Sequence, residues 1–247
     1  MLFQGTFYTA LWMAKYIMLF KDRKDAAQQL AKRLEESLKK EIASKERQKY
    51  DNIIVFAIPR GGVVIGDVIA SRLGLKLDII VSRKIGAPDN PEFAIGAVMP
   101  DGSYHLNQDI IDRLNIPKPY ITERANIEKK EIERRLVNFR GSKVYDYNFE
   151  GKIVILVDDG IATGATILSA AQWLKTNQNC CKMLIVAVPV GSHSNDVIDR
   201  LNQKTDKVII LYTPEPFYSI GQFYENFEQV SDDEVRKIMK RHGYKID

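Results

Sequence analysis

Two neighbouring aspartates, Asp158 and Asp159, follow an apolar run and precede a turn rich in glycine and threonine; the segment 154–166 reads VILVDDGIATGAT. Paired carboxylates can accept hydrogen bonds from vicinal hydroxyls and share a hard cation such as Mg²⁺. The turn offers backbone amides, the hydroxyls of Thr163 and Thr166, and the positive end of a following helix. This combination indicates a sugar-phosphate site. An ordinary strand-to-helix turn with a capping aspartate is the alternative.

Segment 154–166 resembles the motif by which type I phosphoribosyltransferases bind 5-phosphoribosyl-1-pyrophosphate (PRPP). The resemblance implies an Mg²⁺-dependent transferase that moves the phosphoribosyl group of PRPP to a nitrogenous base and releases pyrophosphate. It implies that Asp158 and Asp159 contact the ribose hydroxyls, act in catalysis and hold the metal. It assigns the 5-phosphate to the turn residues Gly160, Ala162, Thr163, Gly164 and Thr166. Neither a dinucleotide-binding glycine motif after a strand nor a Walker loop occurs in the chain.

A second candidate loop, Pro59-Arg60-Gly61-Gly62, follows the apolar run 52–58. Glycines allow a ligand close to the backbone, and the guanidinium of Arg60 can bind phosphate oxygens in a fork. By itself this sequence could equally be a plain turn. The resemblance implies that Arg60, Gly61 and Gly62 bind the pyrophosphate of PRPP and that Arg60 assists catalysis.

A third basic element, Arg83 and Lys84, opens a predicted polar loop that runs from Arg83 to Glu92. Members of the family carry a flexible loop here that closes over the reacting centre. The resemblance therefore assigns Arg83 and Lys84 to catalysis, close to the pyrophosphate. A solvated pair of basic side chains is the alternative.

Base recognition is assigned by resemblance to a variable C-terminal hood, whose aromatic residues could stack on a planar ring. The alternative is that these rings fasten the hood to the body of the protein. Enzymes for 6-oxopurines usually carry an aspartate at the position of Ala162, so hypoxanthine and guanine are disfavoured as acceptors. The Ala-Thr-Gly run is more similar to adenine-type or orotate-type members, and the identity of the base stays open. The aromatic candidates are Phe217, Tyr218, Phe223 and Tyr224.

Apolar β-type runs alternate with helical segments, which predicts an α/β fold with a doubly wound, mostly parallel sheet. Ligands then bind beyond the carboxyl ends of the strands at a switch point. A long amphipathic helix is predicted from Asp22 to Ile42, and prolines at 117 and 119 divide a helical stretch at 108–138. We predict an N-terminal arm and helix at 1–50, a phosphoribosyltransferase core at 51–213, and a small C-terminal hood at 214–247.

The composition sets limits on partners and compartment. The 36 basic and 32 acidic residues give a net charge of only +4, with both signs interleaved, so nucleic-acid binding is not expected. The apolar stretch Phe7 to Phe20 contains Lys15 and is too short for a membrane span. Two adjacent cysteines, Cys180 and Cys181, form no disulfide framework, which favours the cytoplasm. The resemblance further implies a homodimer. A PRPP-sensing regulator or binding protein of the same fold is the alternative function.

Overall fold

The structure is a computed structural model that describes residues 18–41, 52–145, 148–176, 181–193 and 195–246. The predicted arm at residues 1–17 lies outside these ranges. The strands are β1 (Ile53–Ala57), β2 (Lys76–Ile79), β3 (Arg83–Ala87), β4 (Asn90–Val98), β5 (Tyr104–Leu106), β6 (Ile153–Val157), β7 (Met183–Val190) and β8 (Lys207–Tyr212). The α-helices are α1 (Arg23–Glu41), α2 (Gly61–Leu73), α3 (Gln108–Arg113), α4 (Lys118–Arg140), α5 (Ala165–Thr176), α6 (Asn195–Lys204) and α7 (Asp232–Arg241).

Five parallel strands form the central sheet, in the order β2-β1-β6-β7-β8. The chain runs outward from β1 to β2, and later crosses back to place β6 on the other side of β1. Continuous β-branched runs suit such strands because both faces of a parallel sheet are covered. The predicted α/β fold is confirmed. The switch point lies between β1 and β6, where loops diverge and leave a crevice.

Alternate residues of each strand enter different hydrophobic clusters on the two faces of the sheet. Val55 and Ile155 pack with α1, α2, α4 and α7, whereas Ile54 and Leu156 pack with α5 and α6. The predicted N-terminal helix is confirmed as α1, which buries one leucine stripe in the first cluster. This stripe consists of Leu30, Leu34 and Leu38. Helix α1 therefore packs on the body of the molecule.

The loop predicted from Arg83 to Glu92 is wrong, because these residues form most of a β-hairpin. Strand β3 pairs antiparallel with β4, and β4 pairs antiparallel with β5. The side chain of Ile85 is buried, and the hydroxyl of Tyr120 in α4 donates to the carbonyl of Gly86 at 2.9 Å. Packing against α4 thus stabilises a β-hairpin that the polar sequence did not indicate. The small sheet stands beside the switch point and carries Arg83 and Lys84.

The C-terminal segment returns across the N-terminal end of α1. The amides of Leu19 and Phe20 both donate to the carbonyl of Phe223, at 3.0 and 3.1 Å. The amide of Glu225 donates in turn to the carbonyl of Phe20 at 2.8 Å. The two ends of the described chain are thereby joined next to the crevice. None of the helices in the described ranges has the length and apolar character that crossing a membrane requires.

Candidate active site

The two acids stand at the carboxyl end of β6, where the sheet order reverses. Ala57 and Val157, the last residues of β1 and β6, are paired in the sheet, and the amide of Ile58 donates to the carbonyl of Val157 at 3.0 Å. The loops that follow both strands therefore emerge side by side. This brings together Asp158 and Asp159 with the glycine loop, as the sequence predicts for a ligand at the switch point.

The glycine loop lies so close to the acids that side chains are excluded from it. A Cβ atom on Gly61 would lie 1.9 Å from Oδ2 of Asp159, and one on Gly62 would lie 3.0 Å from Oδ1 of Asp158. Helix α2 begins at Gly61, so its amino end adjoins the two carboxylates. The peptide bond between Pro59 and Arg60 is cis. The glycines are required here for close approach, whatever ligand the crevice takes.

Burial and the Arg23 ion pair set the charge state of the two acids. Nε of Arg23 lies 2.8 Å from Oδ2 of Asp159, and the Asp159 side chain is only 13% exposed. Burial, and then the neighbouring charge of Asp159, raise the pKa of Asp158 well above its ordinary value. Burial also raises the pKa of Asp159, although the charge and hydrogen bond of Arg23 oppose that rise. A ligand that donates hydroxyls or brings a cation would relieve this cost.

The turn after the acids is anchored on one side and open on the other. The amide of Ile161 donates to the carbonyl of Val190 at 2.9 Å, which fixes the turn to β7. Gly164 has a φ of 72°, and a Cβ there would lie 2.5 Å from Cγ1 of Val197. Within the described chain, neither Thr163 nor Thr166 uses its hydroxyl in a hydrogen bond. Helix α5 begins directly after this turn, and Thr163, Ala165 and Thr166 line one cavity at its amino end.

Two basic side chains named from the sequence line the crevice. A cavity of about 400 Å³ is lined by Arg83 and Lys84, together with Pro59, Arg124 and Thr166. A second cavity, of about 610 Å³, shares Lys84 and Thr166 with the first and extends toward α6. The structure thus brings Lys84 of β3 and Thr166, at the end of the glycine and threonine turn of residues 160–166, to common cavities.

The arginines of this region are held by acids rather than free. Nε of Arg83 lies 2.8 Å from Oε2 of Glu128, while Nη2 of Arg124 lies 2.9 Å from Oε1 of the same side chain. Nη1 of Arg60 lies 3.3 Å from Oδ1 of Asp232, the first residue of α7. Sequence analysis missed Arg124, because it reads as one charge among many on the surface of a long helix.

Two of the four proposed base-binding aromatics are core residues. Phe223 is fully buried and its ring lies 5.0 Å from that of Phe217, while Tyr224 is 3% exposed. The ring of Tyr224 lies 5.1 Å from that of Phe20. These contacts support the alternative that the rings fasten the hood, and we withdraw Phe223 and Tyr224 as base-stacking residues. The side chain of Tyr218 is 84% exposed.

Phe217, unlike Phe223 and Tyr224, lines a cavity and so stays a candidate for base stacking. It lines a cavity of about 570 Å³ together with Glu215, Pro216, Ser192 and His193. These residues follow β7 and β8, so the cavity lies at the same edge of the sheet as the acids.

The two acids could bind a magnesium ion that enters the site together with a phosphate-bearing ligand. Among the described residues no group of three or more His, Cys, Asp or Glu side chains could enclose a metal ion. Mg²⁺, however, is usually bound through one or two carboxylates plus the phosphates of a substrate. Asp158 and Asp159 supply such hard oxygen donors beside the turn of residues 160–166, so the donor set fits that mode.

Comparisons with known proteins agree with this geometry. The model of the phosphoribosyl transferase domain matches residues 26–212. Two Mycobacterium tuberculosis proteins, of strains CDC 1551 / Oshkosh and ATCC 25618 / H37Rv, are provisionally named phosphoribosyl transferases and are 36% identical over 223 residues. That stretch is 90% of this chain and 47% of each relative, so the chain spans about half of their length.

One crystal structure is similar to this chain over almost the whole length of the crystallised protein. The protein TT1426 of Thermus thermophilus has a TM-score of 0.68 and 33% identity, over 91% of this chain and 99% of that chain. The domain match covers well over half of the sequence, and it includes both loops at the switch point. The chain belongs to the phosphoribosyl transferase family.

Proposed function

We propose that the protein transfers the 5-phosphoribosyl group of Mg-PRPP to a nitrogenous base and releases pyrophosphate. One observation carries the proposal: an acid pair, an anion-binding turn and a side-chain-free glycine loop meet at one switch point. The acids match vicinal ribose hydroxyls, and the turn of residues 160–166 matches a monoester phosphate. The glycine loop and Arg60 then face the remaining part of the ligand, the pyrophosphate.

In the reaction, the bond between C1 of the ribose and the pyrophosphate oxygen breaks, and a bond from C1 to a base nitrogen forms. The base gives up a proton. Positive charge develops on the sugar and negative charge on the leaving group. Asp158 and Asp159 orient the ribose and place negative charge beside it, while Arg60, Arg83 and Lys84 stabilise the leaving pyrophosphate. Asp158 and Asp159 would hold Mg²⁺ that arrives with the phosphates of the substrate, and the cation would help to neutralise that leaving group.

The sheet order also supports a proposal for the place of the acceptor. The leaving-group residues follow β1 and β2, on one side of β6, and a nucleophile approaches C1 from the side opposite the leaving group. That side belongs to β7 and β8, whose carboxyl ends border the cavity lined by Phe217, Glu215 and His193. We propose this cavity for the base, with Phe217 as the stacking ring and Glu215 as an acceptor for ring N–H groups. Ala162 places no carboxylate in the turn, which disfavours 6-oxopurines.

The first test measures pyrophosphate release from Mg-PRPP with adenine, hypoxanthine, guanine, xanthine, uracil and orotate, together with calorimetric PRPP binding. Release with one base establishes the transferase and names its acceptor. Asp158→Asn and Asp159→Asn should each lower the rate at least about 100-fold, or about 2.7 kcal/mol of transition-state stabilisation. Undiminished turnover in both variants contradicts the proposal. Tight PRPP binding without release for any base points instead to a PRPP-binding regulator.

We also propose a homodimer that acts in the cytoplasm on small molecules, with neither nucleic acid nor a membrane as partner. The near balance of 36 basic against 32 acidic residues supports the exclusion of nucleic acid. Light scattering after size exclusion tests the dimer, and a monomer at micromolar concentration contradicts it.

A further inference from the structure

The guanidinium of Arg23 is fixed by three contacts at the edge of the site. Nε donates to Oδ2 of Asp159 at 2.8 Å, and Nη1 donates to the carbonyl of Glu228 at 2.7 Å. Its central carbon lies 3.8 Å from the ring centroid of Phe227. The side chain is only 11% exposed. An acid, a carbonyl and an aromatic face thus define one orientation for a planar group that cannot lose its charge.

These contacts control one oxygen of Asp159 and leave the other available. Oδ2 accepts the hydrogen bond from Arg23 and lies close to Gly61. The hydroxyl of Tyr224 donates to the backbone carbonyl of Asp159 at 2.6 Å. Within the described ranges no other residue donates a hydrogen bond to Oδ1 of Asp159. The carboxylate is therefore held from one side, with its second oxygen able to accept from a ligand hydroxyl.

Fastening the chain ends together does not require this charge. The amides of Leu19 and Phe20 bond to the carbonyl of Phe223, and the Phe20 ring packs 5.1 Å from Tyr224. Helix α1 adds its buried leucines. A charge brought into a nearly buried place has a desolvation cost that an apolar side chain would avoid. A purely structural role therefore leaves the ionic contact with Asp159 unexplained.

Arg23 and the hood residues around it lie outside the segment that the family model matches. The family match covers residues 26–212, whereas Arg23 precedes it and Tyr224, Phe227 and Glu228 follow it. The groups that hold the acid thus come from both ends of the described chain.

We propose that Arg23 is a positioning residue for PRPP: it holds the Asp159 carboxylate in the orientation that receives the ribose, a role that rests on the proposed function. Arg23 touches the acid and acts on the ligand through it. Removing Arg23 leaves Asp159 without its partner and free to rotate, so the ribose loses a preformed acceptor.

The experiment measures Mg-PRPP affinity by calorimetry and the melting temperature for Arg23→Met, Arg23→Lys and Arg33→Met. Arg33 is the matched control, because it lies on the same helix with a side chain 59% exposed, and its acid partner, Glu36, is 3.8 Å away. Arg23→Met should weaken Mg-PRPP binding about 10- to 100-fold, the range found when a group that orients a metal-binding residue is removed. Arg33→Met should leave the affinity unchanged.

Arg23→Lys separates positioning from fastening, and it decides the question if Arg23→Met does not fold. Lysine keeps the charge but lacks the planar fork, so we expect partial rescue: affinity about three- to tenfold below the unaltered protein, with an unchanged melting temperature. Two outcomes contradict the proposal. In the first, the lysine and methionine variants both bind PRPP as tightly as the unaltered protein. In the second, the methionine variant does not fold and the lysine variant binds PRPP as tightly as the unaltered protein.

A double-mutant cycle identifies the route of the effect. In an Asp159→Asn background, Arg23→Met should weaken PRPP binding by less than about threefold, because both changes act through one carboxylate. A full multiplicative loss would show that Arg23 acts elsewhere and overturn the proposed role. No Mg-PRPP binding by the unaltered protein refutes the proposed function and this role together, whereas unchanged affinity in both Arg23 variants refutes the role alone.

Discussion

A single methyl group on Gly61 should disable the site without unfolding the protein. The Cβ of Gly61→Ala would lie 1.9 Å from Oδ2 and 2.6 Å from Cγ of Asp159. Ordinary van der Waals contact begins near 3.4 Å, so the carboxylate must move by about 1.5 Å. Its retreat is obstructed by Arg23, whose Nε would lie 2.9 Å from the same methyl group.

A displacement of this size exceeds what binding sites tolerate. Functional groups must be held within about 0.5 Å of their productive positions, and a misplacement of about 1 Å can cost 100-fold. We therefore expect Gly61→Ala to lower PRPP affinity, and turnover with the true acceptor, by about 100-fold. That factor corresponds to about 2.7 kcal/mol.

Gly74→Ala at the other end of α2 is the matched control. Gly74 has a φ of 67°, and nothing lies within 4 Å of a Cβ placed there. Alanine in this left-handed conformation costs about 1–2 kcal/mol and should lower the melting temperature by about 4 °C, with no effect on the site. Gly61→Ala should therefore lower the PRPP affinity measured by calorimetry, whereas Gly74→Ala should lower the melting temperature and leave that affinity unchanged. If Gly61→Ala binds Mg-PRPP within threefold of the unaltered protein, the proposed place of Asp159 in the ribose site is refuted.

Two further predictions concern stability. Arg140→Met should destabilise the protein by about 3–5 kcal/mol and lower its melting temperature by about 10 °C, because it leaves the fully buried Asp78, 2.8 Å from Nε of Arg140, without its partner; a change below 2 °C contradicts this. Burial would raise the pKa of Asp67, but the hydrogen bond with His242 and the charge of Arg241 outweigh it and lower that pKa below its ordinary 3.8. The contact therefore stabilises the fold above about pH 4 and loses its effect as the pH falls below that value. Asp67→Asn should accordingly melt lower than the unaltered protein at neutral pH and approach it in acid, and a constant difference across a pH series of melting curves would contradict the pairing.

Local sequence patterns were sufficient to predict those features that depend on residues adjacent along the chain. The continuous apolar run at 153–157 needs a parallel strand covered on both faces, and the acids and turn that follow it must then emerge at the carboxyl edge. The meeting of that turn with the glycine loop could also be predicted, because doubly wound sheets place ligands at their switch point. The contacts of Gly61 and Gly62 with the acids agree with this.

Other features could not be found by such patterns. The hairpin formed by β3 and β4 depends on packing against α4, through contacts such as that of Tyr120 with Gly86. Its own residues, beginning with Arg83 and Lys84, have the polarity of a loop. The burial of Phe223 and Tyr224 depends likewise on which surface the C-terminal segment covers. Aromatic sequence alone is compatible with a stacking face or with a core.

The sequence by itself determined the α/β class and the order of the loops at the switch point, and it predicted a sugar phosphate as the ligand, since these follow from hydrophobic period and from acids and glycines adjacent along the chain. Only the tertiary structure decided which groups hold those acids in place. Arg23 and Asp159 are separated by 136 positions, and their 2.8 Å contact exists because α1, the hood and β6 pack together. Contacts across such separations are set by the packing of whole elements, and no local spacing encodes them.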